Sequence, residues 1–310
     1  MLNRRSLFKS DPIGAHGGAI SIGNFDGVHR GHAALITRLR AMADSIGGPA
    51  VAVTFDPSPA AVLRSSNVPP QLTTIARRTE LLRSCGADLV LACQTDADLL
   101  SQSAEDFFRR LVVDELRARG VVEGPNFFFG KDRRGNTEML MQLCETHRIA
   151  IEIVDPRLEG DAWVSSTRIR DLIGSGDVMK ANALLTSPYQ IRGTIVSGAA
   201  RGRQIGFPTA NLESIGTLIP GAGVYACRAW LDDGKLHDAA THIGPNPTFG
   251  DKAVKVEVHL LDFSGDLYGD DLNVQFLSRI RGVERFASTE ALTTQLRLDI
   301  DAIRDRLRRG

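Results

Sequence analysis

Roughly the first 185 residues alternate short apolar segments with segments in which apolar residues recur every three or four positions. Short apolar runs bounded by turn residues are typical of buried strands, and the longer period is typical of helices with one buried face. The predicted strands are AISIGNF (19–25), AVAVTF (50–55), DLVLAC (88–93), GVVEG (120–124) and IAIEIVD (149–155). This alternation predicts a doubly wound parallel sheet, which binds ligands at the carboxyl ends of its strands.

Two helices between these strands are predicted from apolar spacing. The first carries Leu35, Ile36, Leu39, Met42, Ala43 and Ile46 on one face. The second carries Phe107, Phe108, Leu111, Val112 and Leu116, and a capping box from Ser103 to Asp106 precedes them.

The pattern changes at about Tyr189, where Gly and Pro become frequent and a period of two appears. In VKVEVHLL (254–261) every second residue is apolar, and LNVQF (272–276) alternates in the same way, which predicts strands with one buried face. Asp233-Gly234 predicts a hairpin turn. An antiparallel β-barrel is therefore expected, followed by a terminal helix whose apolar stripe is Leu292, Leu296, Ile300, Ile303 and Leu307. The expected fold class is α/β, with domains at 1–186 and 187–310.

Composition narrows the class of protein. The chain has 310 residues with 37 basic and 37 acidic side chains, so a protein that coats nucleic acid or an anionic membrane is not expected. The four cysteines are widely spaced, which argues against a disulfide framework and a cysteine-rich zinc site. No apolar run approaches the ~20 residues of a membrane helix. We expect a cytoplasmic protein without a membrane segment.

The segment SIGNFDGVHRGHAALI (21–36) predicts an anion site. A strand ends in a glycine-rich turn that leads into a helix, and helix N-terminal amides favour an anion. His29 and His32, three residues apart, share one helix face and can donate hydrogen bonds to phosphate oxygens. Two surface histidines remain the alternative, and a zinc pair is disfavoured because further ligands at zinc spacing are lacking. The chain contains no P-loop motif.

A second candidate phosphate segment is VSSTRIRDLI (164–173). Hydroxyls and amides at a helix start, followed by Arg168 and Arg170, can hold a triphosphate. An ordinary helix N-cap is the alternative.

The second half offers GTIVSGAARGRQIGFPTANLESIG (193–216). Its glycines allow backbone amides to approach a phosphate, and Thr209 and Asn211 supply neutral oxygen ligands that suit Mg²⁺. Glu257, on the polar face of an alternating strand, is a candidate base for an attacking hydroxyl. The alternatives are a flexible glycine-rich loop and a solvated strand-face glutamate.

SIGNFDGVHRGH and SSTRIR resemble the two signatures of the adenylyl-transferring nucleotidyltransferases. TFDPSP (54–59), GPNFFFG (124–130), ARGRQIGFPTANL, GVYACRAW, NPTFG, VEVHLLDF and DLYGDDL narrow the resemblance to the bacterial bifunctional riboflavin kinase/FAD synthetases. The resemblance covers essentially the whole chain. It implies that riboflavin, FMN and ATP are the substrates, and that Mg²⁺ enters with ATP.

For the first half, the resemblance implies that His29 and His32 contact the ATP phosphates during adenylyl transfer to FMN. The nucleotide-binding residues would be Gly23, Phe25, Asp26, Gly27, Asn126, Ser166, Thr167 and Arg170. TFDPSP has Ser58 where the family commonly has histidine, so the efficiency of the adenylyl step is left open.

For the second half, the resemblance implies that Glu257 is the base for the riboflavin 5′-hydroxyl and that Thr209 and Asn211 bind Mg-ATP. The expected nucleotide-binding residues there are Gly202, Arg203, Gly206, Pro208 and Thr209. Arg281 matches a flavin-pocket position loosely, and Thr241 has no assigned role.

Two other functions stay open. In one, only the kinase is active, a reading that Ser58 invites. In the other, the barrel serves a flavin-binding or regulatory protein, against which the candidate base and both phosphate segments argue.

Overall fold

The computed structural model of this chain describes residues 7–8, 11–63, 68–155, 158–159, 162–197, 206–245, 254–265 and 267–309. They divide into two compact units. The first runs to Ser165 without Gln71–Thr73, and the second consists of Gln71–Thr73 and the chain from Ser166 onward. The expected domain boundary between residues 186 and 187 stays a prediction.

The first unit contains the predicted parallel sheet, with strand order β3-β2-β1-β4-β5. All five predicted strands are confirmed. They are β1 (Ala19–Ile22), β2 (Ala50–Asp56), β3 (Leu89–Gln94), β4 (Gly120–Glu123) and β5 (Ala150–Ile153). A small antiparallel pair follows, formed by β6 (Leu158–Glu159) and β7 (Ala162–Trp163).

Buried clusters cover the sheet on both faces, which confirms the doubly wound architecture. One cluster includes α1 and α3, and the other includes α5 and α6. The helices are α1 (Arg30–Ile46), α2 (Pro59–Leu63), α3 (Ile75–Ser84), α4 (Ala97–Leu100), α5 (Ala104–Phe108), which continues as a π-helical turn (Arg109–Glu115), and α6 (Thr137–His147). Short 3-10 turns lie at Pro12–Ala15 and Lys131–Arg133.

Small residues under α1 bring this helix close to the sheet. Ala19 and Ala50 belong to the buried cluster beneath it. A Cβ at Gly120 would lie 2.5 Å from Sδ of Met42, so the glycine leaves room for the Met42 side chain of α1 against the sheet. This close packing fixes where the first turn of α1 lies relative to the carboxyl ends of the strands.

The strand order reverses between β1 and β4, which makes their carboxyl ends the topological switch point. A hydrogen bond joins the last residues of the two strands: the backbone amide of Ile22 donates to Oε1 of Glu123 at 2.5 Å. The chain leaves this edge twice, into the turn that precedes α1 and into the loop that follows β4.

The second unit contains the predicted barrel, closed in the order β10-β11-β12-β9-β8-β13. Its strands are β8 (Gln190–Val196), β9 (Ala210–Glu213), β10 (Gly223–Trp230), β11 (Leu236–Gly244), β12 (Lys255–Leu260) and β13 (Asp271–Arg281). The predicted hairpin turn joins β10 to β11, with Gly234 at φ +74° and an Asp233 carboxylate that accepts from the Lys235 amide.

Three helices of the described residues belong to the second unit: α7 (Ser166–Gly174), α8 (Val178–Leu184) and α9 (Thr289–Arg309). The terminal helix α9 confirms the predicted one. Its residues Ile303 and Leu307 are buried in one cluster with Val224 and Ala226 of the barrel.

A buried ion pair also fastens α9 to the barrel. Nε of Arg281 lies 3.0 Å from both carboxylate oxygens of Asp299, and Nη2 lies 2.8 Å from Oδ2. Asp299 is only 3 % exposed. The Arg281 guanidinium also donates to the Gly282 carbonyl. This set of contacts assigns Arg281 a part in docking α9, and its predicted part in a flavin pocket stays a prediction.

Within the described residues, no helix has the length and apolar character needed to cross a membrane. Cys85, Cys93, Cys144 and Cys227 are free thiols. Burial raises the pKa of the Cys93, Cys144 and Cys227 thiols to about 12, which keeps them protonated and unreactive.

We expect Asp299→Ala to destabilise the second unit by about 3 kcal/mol, because it leaves the buried Arg281 charge without its carboxylate. Asp305→Ala removes a similar charge from an exposed position of the same helix and serves as the control. Thermal unfolding followed by circular dichroism measures both. Equal melting temperatures for the two variants would show that Arg281 and Asp299 do not hold the helix.

Candidate functional site

The turn from β1 into α1 is tight and strained. Gly27 has φ +86°, but Phe25 and Val28 also lie in the left-handed region, at φ +47° and +36°. Bulky and β-branched residues rarely adopt this conformation, and each such residue costs about 1–3 kcal/mol. Both side chains are buried, so the surrounding core holds the turn in this shape.

His29 and His32 cap the first turn of α1 reciprocally. The His32 amide donates to Nδ1 of His29, and the His29 amide donates to Nδ1 of His32, both at 3.3 Å. The arrangement is a capping box with imidazoles in place of the usual hydroxyl and carboxylate. Because each Nδ1 accepts a hydrogen bond, this network assigns the proton of each neutral ring to Nε2.

The two rings stack with centroids 3.6 Å apart and planes 15° apart. The ring of Phe25 meets His32 edge-on at 5.2 Å. Gly31 lies between the histidines, where a Cβ would come within 3.1 Å of the His29 ring. A glycine inside a helix is unfavourable, so its place here is explained by room for the stacked imidazole.

Burial keeps both imidazoles neutral. It lowers the pKa of His29 to about 4, against opposing effects of a backbone hydrogen bond and Asp26. It also holds the pKa of His32 well below its usual range, with further lowering from His29 and from the charge of Arg78. At neutral pH the pair therefore offers two uncharged Nε2–H donors.

The other predicted residues of the turn are largely buried. Phe25 is 2 % and Asp26 6 % exposed, and the Asp26 carboxylate pairs with Arg78. A Cβ at Gly23 would lie 3.3 Å from the Phe25 ring. Nucleotide contacts at Gly23, Phe25, Asp26 and Gly27 stay predictions.

Asn126 lies in the exposed turn that follows β4. Because β1 and β4 are neighbours, this turn and the histidine turn leave the sheet at the same switch point. Phe128 is 45 % exposed and Phe129 is buried. Gly130, at φ +71°, is required because a Cβ would lie 2.6 Å from the Ala104 backbone. The loop thus presents Asn126 on a rigid base, as a site residue needs.

Ser58 begins the short helix α2. Its Oγ accepts from the Ala61 amide at 3.4 Å, so the residue that replaces the common histidine acts as a cap. This serine therefore has a local structural role at the start of α2.

Of the segment SSTR, Ser165 ends the first unit, and the residues from Ser166 onward form the first turn of α7 in the second unit. Ile169 and Ile173 are buried, while Thr167 is exposed and Ser166 and Arg170 are half-buried. That these three residues hold the triphosphate stays a prediction.

In the barrel, strand pairing places three polar residues in one row. Glu257 of β12 lies opposite Asn211 of β9 on one side and opposite His242 of β11 on the other. Directly paired residues of antiparallel strands share a face, with Cβ atoms about 5 Å apart. Val256 and Val258 are buried on the other face, which confirms the predicted alternation.

His242 is the member of this row that sequence reasoning missed. Its Nδ1 lies 3.7 Å from Oε2 of Glu257. This nitrogen is buried, and no hydrogen-bond partner is found for it among the described residues. The sequence of β11 does not by itself identify His242 as a neighbour of Glu257. The pairing of β11 with β12 is needed to show that the two residues lie opposite each other.

The chain just before β9 is anchored by His259. Nδ1 of His259 donates to the Pro208 carbonyl at 2.7 Å, and its ring meets Phe207 edge-on at 5.9 Å. Thr209 is exposed directly after this anchor, and Gly206 has φ +88°. Gly202 and Arg203 lie outside the described residues, and the nucleotide contacts of Gly206, Pro208 and Thr209 stay predictions.

The oxygen ligands offered by Thr209, Asn211 and Glu257 suit a hard divalent cation. Thr209 and Asn211 offer neutral oxygens, and the Glu257 carboxylate stands across from Asn211. The described residues contain no group of three or more His, Cys, Asp or Glu side chains that would form a full protein cage. A cation here would bring waters and phosphate oxygens of its own, as Mg²⁺ does.

We expect the imidazole of His29 to stay neutral at about pH 5.5, where a histidine of ordinary pKa is mostly charged. The unfolded chain binds more protons between the ordinary pKa of 6.5 and about 4, so stability falls as the pH falls through this window. NMR of ¹³C-labelled histidine measures the titration, and His29→Asn identifies the resonance. A midpoint near the ordinary value would show that the ring is not buried.

Comparison with known proteins accounts for both halves. The family model for FAD synthetase matches residues 12–168, and the model for riboflavin kinase matches residues 185–307. A bifunctional riboflavin kinase/FMN adenylyltransferase of Pseudomonas fluorescens is 37 % identical over 291 residues, or 93 % of each chain. One from Escherichia coli K12 is 34 % identical over 283 residues, covering 91 % of this chain and 90 % of the relative.

A solved structure of similar length has the same fold. It is described as a macrolide-efflux protein from Streptococcus pneumoniae, and it aligns with a TM-score of 0.84 and 32 % identity. The alignment covers 93 % of this chain and 94 % of the other. Since full-length relatives and both family models agree, the chain belongs to the bifunctional riboflavin kinase/FMN adenylyltransferase family.

Proposed function

We propose that the chain makes FAD from riboflavin in two ATP-dependent steps, one in each unit. The second unit phosphorylates riboflavin to FMN and releases ADP. The first transfers the adenylyl group of a second ATP to FMN and releases pyrophosphate. The observation that carries the proposal is that each unit, taken by itself, presents chemistry suited to its step: paired Nε2–H donors in one, and a carboxylate beside neutral oxygen ligands in the other.

In adenylyl transfer, a phosphate oxygen of FMN attacks the α-phosphorus of ATP, and the bond from that phosphorus to the bridging oxygen of pyrophosphate breaks. Negative charge builds on the phosphate oxygens during this displacement. The Nε2–H groups of His29 and His32 donate to these oxygens, and their fixed orientation avoids reorganisation during the reaction. Asn126 serves as a ligand for the nucleotide or flavin phosphate.

In riboflavin phosphorylation, Glu257 accepts the proton of the ribityl 5′-hydroxyl as its oxygen attacks the γ-phosphorus of ATP. The bond to the bridging oxygen breaks, and ADP leaves. The barrel places Glu257 in the middle of a paired row, so the base is on a rigid strand. Positioning and charge stabilisation suffice for such a transfer, and a covalent enzyme intermediate is not required.

ATP-dependent kinases and adenylyltransferases generally use a divalent metal ion. We assign Mg²⁺ to this role, with Thr209 and Asn211 as the protein ligands in the kinase site. When bound, the ion neutralises phosphate charge. The absence of a carboxylate cage among the described residues supports a cation that keeps waters and bridges phosphates. The free cysteines support a reducing compartment such as the cytoplasm.

We assign His242 a positioning role for Glu257. The two strands that flank β12 restrict the carboxylate on both sides, Asn211 from one and His242 from the other. The buried Nδ1 of His242 lies 3.7 Å from Oε2, so the imidazole ring limits the space in which the glutamate side chain can rotate. A base whose rotamer is restricted spends more time within reach of the hydroxyl proton.

We expect single substitutions to separate the two reactions. Glu257→Gln keeps size and hydrogen bonding but removes the base, so riboflavin phosphorylation should stop while supplied FMN is still converted to FAD. His29→Asn keeps an acceptor for the helix cap but removes the Nε2–H donor, so FAD formation should fall ~100-fold while phosphorylation persists. Chromatography of the flavins measures both reactions.

Each variant is the control for the other. Unmodified protein given riboflavin and Mg-ATP should yield FAD. FMN alone would support a kinase-only enzyme, and unchanged riboflavin would support a flavin-binding or regulatory protein. Loss of both reactions in either variant would contradict separate sites.

For His242 we expect the Ala variant to lower kcat of riboflavin phosphorylation ~10-fold with little change in KM for ATP. His242→Asn places an amide nitrogen where Nδ1 stands and should restore most of the rate. FMN adenylylation in the same preparations serves as the control. Equal rates for the Ala and Asn variants would contradict the positioning role.

A further inference from the structure

Two buried side chains from neighbouring elements form hydrogen bonds to the strained turn before α1. The Thr54 hydroxyl, at the end of β2, donates to the Asn24 carbonyl at 3.1 Å. The guanidinium of Arg78, on α3, donates from Nη2 to Oδ1 of Asp26 at 3.2 Å. These two contacts hold the turn on either side of Phe25.

The two side chains also bind each other. Nη1 of Arg78 donates to the Thr54 hydroxyl at 3.0 Å, which leaves the hydroxyl proton for the Asn24 carbonyl. Thr54 is fully buried, Arg78 is 2 % exposed and Asp26 is 6 % exposed. One hydrogen-bonded chain therefore runs from α3 through β2 to the turn, in a place where water does not compete for its bonds.

A buried guanidinium is a costly way to stabilise a core, since apolar residues of similar volume often serve as well. An apolar side chain at position 78, however, cannot reach two points of a turn with directed hydrogen bonds. Phe25 and Val28 hold backbone angles that persist only where their surroundings impose them. The fork geometry of arginine supplies this restraint.

The restraint reaches the histidine pair directly. Phe25, between the two gripped residues, lays its ring edge against His32. Val28, at φ +36°, is followed at once by the helix cap His29. A change in the turn therefore moves the ring that packs on His32 and the residue that stacks on it.

We propose that Thr54 and Arg78 form a clamp that positions the Nε2–H donors of His29 and His32 for adenylyl transfer. The clamp residues touch no reacting atom and act through the turn. This inference rests on the adenylyl transfer proposed above, and it assigns a function to Thr54 and Arg78 that goes beyond core packing.

A matched pair of variants tests the clamp. Thr54→Val keeps the shape of the side chain and removes both hydrogen bonds, whereas Thr54→Ser keeps the hydroxyl and removes only a methyl group. In the full-length protein we expect the Val variant to lower kcat for conversion of FMN to FAD at least ~10-fold and the Ser variant less than ~2-fold. Riboflavin phosphorylation should be unchanged in both.

Arg78→Lys gives a second reading of the same clamp. Lysine keeps the charge but lacks the planar fork, so it cannot hold Thr54 and Asp26 together. We expect a loss of kcat similar to that of the Val variant. The double variant Thr54→Val/Arg78→Lys should be little worse than either single variant, because both break one network.

A readout without catalysis separates positioning from stability. In the unmodified protein, ¹⁵N NMR of the imidazoles should show His29 and His32 protonated at Nε2, and Thr54→Val should disturb these signals while Thr54→Ser does not. All assays run at a temperature well below the melting point of each variant. Equal kcat for the Val and Ser variants, or undisturbed imidazole signals in the Val variant, would overturn the clamp. If the unmodified protein made no FAD, the adenylyl-transfer proposal would fail, and with it the functional part of this inference.

Discussion

The geometry of the candidate adenylyl-transfer site depends on one reciprocal interaction, in which Nδ1 of His29 and Nδ1 of His32 each accept a hydrogen bond from the other residue's backbone amide. A serine or aspartate cap would satisfy the helix start equally well, but its acceptor would be the end of a short side chain. An imidazole has a second nitrogen on the far side of the ring. When Nδ1 is committed to the cap, Nε2 must carry the proton and point away from the helix. The reciprocal cap therefore stabilises the start of α1, and the same hydrogen bonds leave the two Nε2–H groups as donors.

Burial keeps His29, His32 and Glu123 uncharged at the carboxyl edge of the sheet. Desolvation lowers the pKa of both histidines and raises that of the Glu123 carboxyl well above its usual range. The protonated form of Glu123 is favoured even though its Oε1 accepts from the Ile22 amide. A charged carboxylate at the switch point would repel a triphosphate. The buried acid instead joins the ends of β1 and β4 without adding negative charge where phosphate is expected.

The sequence predicted well what depends on local periodicity. The five parallel strands, the two barrel strands β12 and β13 and the terminal helix were predicted from their hydrophobic patterns, and the structure buries the corresponding residues. The histidine pair was predicted from its place after a strand and a glycine-rich turn. Its reciprocal cap was not, since only the coordinates show which nitrogen accepts from which amide.

Contacts between residues far apart in the chain escaped the sequence for a different reason. His242 and Glu257 are brought together by strand register, and Arg78 meets Asp26 across 52 residues. Neither pair has a local spacing that periodicity can detect. For Arg281, the sequence offered only a loose resemblance to a flavin-pocket residue. That resemblance did not indicate the ion pair that Arg281 forms with Asp299 of the terminal helix.

In the proposed mechanism, the two units meet the electrostatic demands of their phosphate transfers in opposite ways. The first keeps its two imidazoles uncharged and offers their oriented N–H groups, which suits a transfer between two anions, FMN and ATP. The second keeps the Glu257 carboxylate half-exposed on a strand, which suits a transfer to a neutral hydroxyl that must lose a proton. A partly exposed carboxylate beside the histidine pair would repel the incoming FMN phosphate, whereas the Asp26 carboxylate there is buried and paired with Arg78. Conversely, the neutral donors of the first unit would leave the riboflavin hydroxyl without a base. Because each requirement excludes the other, the two reactions are better served by two separately folded sites than by one compromise.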